Sequence, residues 1–158
     1  MKIISHRGNI RGPVSDKENR PSYIDCAIGN GYDVEIDVRS INGELWLGHD
    51  TPDYMVTIDW ILKRSDNLWI HCKNLDCAKF LFNYRNMVKY FCHTGDNYVL
   101  TSTGHLWVHD LSTTVDDLCI IPLINKNEIF NYSGEYVYGI CTDYVDSCKD
   151  IFDGGGIL

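Results

Sequence analysis

Strand-like and helix-like segments alternate along a chain of only 158 residues, and that combination limits the fold more than any other feature. Strand-like runs fall at residues 2–6, 32–38, 44–47, 68–72, 89–92, 98–100, 106–108, 119–123 and 136–141. Helical spacing of apolar residues falls at 21–28, 57–64 behind a Thr57 cap, 75–87 and 144–152. Pro21 suits the first turn of a helix, Gly29 and Gly31 a stop, and Asn42-Gly43 a hairpin turn. Gly154, Gly155 and Gly156 read as a frayed tail. Alternation of this kind implies a parallel sheet or barrel. A complete eight-fold barrel takes about 250 residues, with roughly 200 as the lower end. The expectation is one α/β domain over 1–158, with a parallel sheet or a barrel; any barrel must be trimmed, its helix layer thinning in the second half.

The formal net charge of −8 argues against general nucleic-acid binding, which needs a basic face. An acidic chain that handles an anionic substrate must do so with a local device, a cation or an Arg/Lys cluster. No apolar run approaches the roughly 18 residues that span a bilayer, so stable membrane insertion is not expected. Met1-Lys2 leads directly into the first strand and leaves no room for a signal peptide. The seven cysteines are odd in number and irregularly spaced, which fits free thiols and a cytoplasmic location. Cys72 and Cys141 are expected to face the helix layer, and Trp46, Trp69 and Trp107 the core.

Glu35 and Asp37 stand two apart on a strand, so their carboxylates share a face, while Val34, Ile36 and Val38 share the other. Inside a barrel, two such acids repel and call for a cation; Mg²⁺ or Ca²⁺ suits paired oxygen ligands. On an exposed antiparallel face they would need none. His6 ends the first strand and His49 follows another, beside Asp50. Two histidines that titrate near neutral pH can take and give a proton. The Arg7 guanidinium matches phosphate oxygens.

Taken together, His6-Arg7-Gly8, Glu18-Asn19, Glu35-Ile36-Asp37-Val38 and Gly48-His49-Asp50 resemble the glycerophosphodiester phosphodiesterase family, within the phospholipase-C-like phosphodiesterases on TIM barrels. Two later segments fit more loosely: Trp69-Ile70-His71-Cys72-Lys73 and Tyr138-Gly139-Ile140-Cys141-Thr142-Asp143. The resemblance implies a hydrolase of phosphoric diesters on a small, trimmed TIM-type α/β barrel with a thin helix layer in the second half. His6 and His49 match its catalytic pair. Glu35 and Asp37 match two metal ligands. Arg7 and Lys73 match phosphate-holding residues, and Glu18 and Asn19 match a supporting loop, with Asn19 assigned to substrate binding. His71 stands where the family carries a third, glutamate ligand. Imidazole in that place would favour Mn²⁺ or Zn²⁺ over Ca²⁺ if it ligates, and would contact substrate if it does not.

The implied cofactor is a divalent metal, Mg²⁺ first, with Ca²⁺ and Mn²⁺ as alternatives. The implied partner is a small-molecule phosphodiester, and a homodimer would cover apolar surface left by a thin helix layer. The rival reading is a catalytically inactive relative that binds a phosphorylated ligand or a protein. His93 and Asp143, after their strands, are weaker site candidates. His105 and His109 read as a strand surface.

Overall fold

The computed structural model describes residues 1–132 and 136–154, the side chains of 153 and 154 excepted. Its elements run, in chain order, β1 (Lys2–His6), α1 (Pro21–Gly29), β2 (Asp33–Ile41), β3 (Glu44–Leu47), β4 (Tyr54–Val56), α2 (Ile58–Leu62), β5 (Leu68–Cys72), α3 (Leu75–Phe82), β6 (Lys89–Cys92), β7 (Tyr98–Leu100), β8 (Leu106–Val108), β9 (Cys119–Pro122), α4 (Lys126–Asn131), β10 (Gly139–Thr142) and α5 (Val145–Gly154). Parallel pairing runs β6-β5-β2-β1-β10-β9-β8. The antiparallel strands β3 and β4 hang from the far end of β2, and β7 pairs β8. β6 and β8 close the ring without a ladder between them. Ser102 N–H donates to Tyr90 O at 2.8 Å, Tyr90 N–H donates to Ser102 Oγ at 3.0 Å, and Phe91 stacks on Trp107 at 4.4 Å. The fold is the expected small TIM-type α/β barrel.

Alternation along each strand sorts side chains into two sets. Outside, Val34, Ile36, Val38, Leu68, Ile70 and Cys72 pack under α1, α2 and α3. Ile121, Leu123, Ile129, Ile140 and Cys148 form the corresponding layer under α4 and α5. Inside, Ile4, Trp69, Phe91, Trp107, Ile120 and Cys141 fill the barrel waist. Below the waist, Asp33 accepts from Trp69 Nε1 at 3.0 Å and pairs with Lys2 at 3.3 Å. No helix stands between β6 and β8, or between β8 and β9, among the described residues, which is where the chain saves length.

Several expectations change. Cys141 faces the interior: it lies opposite Ile4 in the β1–β10 register, and Ile4 points inward. His105 also lies inside, against Trp69 and Tyr138, while His109, though exposed, edges the cavity mouth. They share parity with Trp107, which stacks on Phe91 across the barrel. Trp46 is half-buried rather than core. α3 stops at Phe82, because residues 83–87 fold into tight turns such as Tyr84 N–H to Leu81 O at 2.8 Å that return the chain to β6. β2 runs three residues past Val38 to Ile41, where β3 pairs with it. The last strand begins at Gly139, and Gly154 is the final residue of α5. Gly155 and Gly156 lie outside the described residues.

Candidate functional site

Except on β9, which ends in Pro122, the strand ends at the C-terminal face of the barrel bring polar groups inward. β1 contributes His6, β2 Glu35 and Asp37, and β5 His71, with Lys73 just beyond it. His93 and His109 follow β6 and β8, and Asp143 follows β10. A cavity of about 420 Å³ opens over them, lined by His6, Arg7, Glu35, His49, His71 and His93 together with the β8 and α4 side of the barrel mouth. Strand ends at this face are where barrel enzymes carry their chemistry.

Glu35 and Asp37 are 3% and 1% exposed. Among the described residues, Glu35 Oε2 and Asp37 Oδ1 are buried with no hydrogen-bond partner. Buried carboxylate oxygens left unpaired are costly, and a cation is the usual remedy. His71 Nδ1 lies 3.2 Å from Asp37 Oδ1 and 3.8 Å from Glu35 Oε1. Its Nε2 lies 3.1 Å from the His93 carbonyl, which can only accept, so Nε2 carries a proton. In neutral His71 the Nδ1 lone pair then faces the two acids. Glu35, Asp37 and His71 each offer a ligand atom, and these atoms lie within 4.8 Å of one another. Metal-bound histidines commonly donate their second N–H to a carbonyl in this way. The donor set therefore fits a divalent cation, with one imidazole and two carboxylates.

The two acids differ electrostatically. Burial, the largest influence, and then neighbouring Asp37 push the Glu35 carboxyl above the usual range, against His6, His71 and Arg7. Burial also pushes Asp37 upward, but His71, Arg7, Asn19 and Lys73 outweigh it and hold Asp37 far below the usual range. Arg7 Nε is 2.9 Å and Lys73 Nζ 3.5 Å from its carboxylate oxygens.

The loop after β1 is shaped for this. Arg7 and Asn19 both adopt left-handed φ, 56° and 59°, and Asn19 N–H donates to Arg7 O at 3.0 Å. Such conformations in non-glycine residues are uncommon and concentrate at functional sites. Gly8, φ 92°, has no room for a Cβ, which would meet the Tyr23 ring at 2.8 Å. Asn19 is 1% exposed and does not line the cavity. Its Nδ2 donates to Asp37 Oδ2 at 2.9 Å and its Oδ1 accepts from Asp37 N–H at 2.9 Å, so it fixes the Asp37 carboxylate from outside the cavity. Glu18 accepts from Arg7 at 3.1 Å and from Asn9 at 2.9 Å.

His6 Nδ1 donates to Asp143 Oδ1 at 2.8 Å, which leaves Nε2 facing Glu35 Oε2 at 4.0 Å. Burial lowers the His6 pKa, but Asp143 and Glu35 together raise it above 6.5 overall. Asn9 donates to the same Asp143 oxygen at 2.8 Å. His49 lines the cavity from the loop after β3, with Nδ1 2.7 Å from Asp50 Oδ1. Arg39 holds that loop by donating to the carbonyls of Gly48, His49 and Asp50 at 3.1, 2.6 and 2.9 Å. Lys73 does not line the cavity and is spent on Asp37.

Opposite the acids, His93 and His109 stack at 3.8 Å, and the His71 ring stacks on Phe91 at 5.1 Å. Burial first, then the charge of His93 and of His71, lowers His109 to about 4. His109 and the Arg39 clamp are the residues sequence reasoning missed. The pattern His105-Leu106-Trp107-Val108-His109, with alternate residues on one face, carries the signal for His109.

No known protein family matches the sequence, and no curated protein matches it. Among solved structures, the fold resembles the glycerophosphodiester phosphodiesterase from Agrobacterium tumefaciens str. C58, with a TM-score of 0.57 and 15% sequence identity. The match covers 98% of this chain and 100% of that chain. Identity at that level speaks for the fold. Among the described residues, no helix is long and apolar enough to cross a membrane.

Proposed function

We propose that this protein is a metal-dependent phosphodiesterase that cleaves a small glycerophosphodiester-like phosphodiester by acid/base catalysis between His6 and His49. The observation that carries the reading is the pair of buried carboxylates of Glu35 and Asp37, with Glu35 Oε2 lacking a hydrogen-bond partner, beside a histidine tautomer that turns its lone pair toward them. Glu35, Asp37 and His71 would hold the cation; the two carboxylates suit Mg²⁺, and the imidazole favours Mn²⁺ or Zn²⁺ over Ca²⁺. When bound, a divalent ion supplies positive charge to phosphoryl oxygens and to the charge that develops on them.

The chain's own groups do the rest. Arg7 keeps guanidinium N–H groups at the cavity for a phosphate oxygen. Asp143 fixes the His6 tautomer so that Nε2 faces the reacting centre, and Asp50 does the same for His49. One imidazole takes the proton from the attacking oxygen, of water or of a neighbouring substrate hydroxyl. The other gives a proton to the leaving alcohol. A cytoplasmic, single-domain enzyme over 1–158 is part of this proposal. The second reading, a phosphate-binding relative without turnover, is favoured by the two cations beside Asp37, Arg7 and Lys73, which already balance much of the acidic charge.

The test is hydrolysis of an activated aryl phosphodiester with Mg²⁺, Mn²⁺ or chelator, comparing the wild type with His49→Ala. Turnover that needs the metal and falls at least about 100-fold in the variant supports the reading. Metal-independent turnover, or turnover indifferent to His49, overturns it.

A further inference from the structure

The thiols of Cys72, Cys77 and Cys92 meet on the outer face of the barrel, on the far side of β5 and β6 from the cavity. Cys72 and Cys92 are register partners at the ends of these neighbouring parallel strands. Strands pair about 4.8 Å apart, inside the Cα separation that a disulfide spans. Cys72 and Cys77, the latter from the first turn of α3, belong to the same buried layer outside the barrel, and Cys92 shares the Cys72 side of the sheet. Cys72 and Cys77 are buried, while Cys92 is exposed. Only one member of the cluster can therefore meet a dissolved reactant, and a second thiol lies directly behind it. The other exposed cysteine, Cys26, has no comparable neighbour: its sulfur lies 3.8 Å from Asn30 Nδ2.

We infer that Cys92 and Cys72 form a hydroperoxide-reactive dithiol site, with Cys92 the attacking thiol and Cys72 the resolving one. The Cys92 thiolate attacks the terminal oxygen of the hydroperoxide. The O–O bond breaks, and the departing alkoxide or hydroxide takes a proton from water. Cys92 is left as a sulfenic acid. Cys72 sulfur then bonds to Cys92 sulfur, the S–OH bond breaks, and hydroxide leaves with the Cys72 proton as water. The two thiols supply both electrons that reduce the peroxide. The exposure of Cys92 and its place beside Cys72 support the first step, and Cys72, against the opposing effect of burial, favours the Cys92 thiolate. The product bond would tie the residue between His71 and Lys73 to the residue before His93, whose carbonyl holds His71 Nε2.

This site stands independently of the phosphodiesterase reading, and its test reads thiols alone. The full chain is treated with one equivalent of hydrogen peroxide, blocked with a maleimide, and its peptides mapped by mass. The expected result is loss of two of the seven thiols, a mass lower by two hydrogens, and a Cys72–Cys92 linked peptide. Cys92 should oxidise at least about tenfold faster than Cys26. In Cys72→Ala, Cys92 should stop at the sulfenic acid and be trapped by dimedone, and Cys92→Ser should protect Cys72. Equal rates at Cys92 and Cys26, a Cys72–Cys77 link in place of Cys72–Cys92, or oxidation of Cys72 in Cys92→Ser would overturn the assignment.

Discussion

Glu35→Gln should make the metal-free protein more stable while removing its response to metal. Glu35 is almost wholly buried and its Oε2 has no hydrogen-bond partner. Its carboxyl is held above its ordinary range by burial first and then by Asp37. For an acid with a raised folded pKa, folding favours the neutral form, and stability is lost as pH rises through that folded value. Glutamine copies the shape without the charge. An unsatisfied buried group costs about 1–3 kcal/mol, and the amide keeps part of that penalty, so the gain should be about 1 kcal/mol. For a chain of this size that is about 2–4 °C in Tm. With metal at a hundred times its Kd, wild type should gain a further ~2.7 kcal/mol, and Glu35→Gln none of it. Thermal unfolding with chelator and across a Mn²⁺ titration measures both arms. A variant less stable than wild type in chelator, or one that keeps the metal-induced shift, would refute the reasoning.

Asn19→Ala leaves Asp37 N–H and Oδ2 without their partner and puts alanine at φ 59°, so it should cost about 2–4 kcal/mol by chemical denaturation and 10–100-fold in metal affinity. Asn19→Gly should recover the backbone part of that loss and none of the affinity. The His6–Asp143 pair stabilises the chelated protein fully below pH 6.5, and that contribution is lost as pH rises through the raised folded value of His6. Asp143→Asn should therefore flatten the fall in stability above pH 6.5, measured by urea unfolding against pH, while turnover drops about 100-fold or more. Gly48 holds φ 137°, and a Cβ there would run into the Thr51 carbonyl, so Gly48→Ala should cost about 1–3 kcal/mol and displace the His49 loop, seen as lost turnover with metal affinity retained.

The half of the site on β1 and β2 was legible in the sequence because strand alternation alone puts Glu35 and Asp37 on one face, and because His6 and Arg7 follow directly from a strand end. The role of Asn19 was not. It depends on a left-handed backbone that brings the amide onto a residue 18 positions away, and no periodicity encodes that. The Arg39 clamp was hidden for a similar reason: β2 continues past Val38, and its pairing with β3 fixes where the side chain reaches. In the second half, strands of three or four residues are too short to reveal which parity faces inward. Cys141, expected under the helix layer, and His105, expected on a surface, accordingly face the interior. Helix α4 carries a readable signal that went unused. Glu128 accepts from Asn125 N–H at 2.9 Å, the Asn-x-x-Glu start of a capping box. β4, at three residues, left no pattern to read.

The central claim is that Glu35, Asp37 and His71 hold a cation at which His6 and His49 cleave a phosphodiester. The most direct measurement is ³¹P NMR of a glycerophosphodiester incubated with the protein and Mg²⁺ or Mn²⁺, with chelator and His6→Ala controls. The account predicts that the diester resonance disappears only with metal and wild-type protein, replaced by a monoester if water attacks or by a cyclic phosphate if a substrate hydroxyl does. A diester that persists with folded, metal-loaded protein would contradict it.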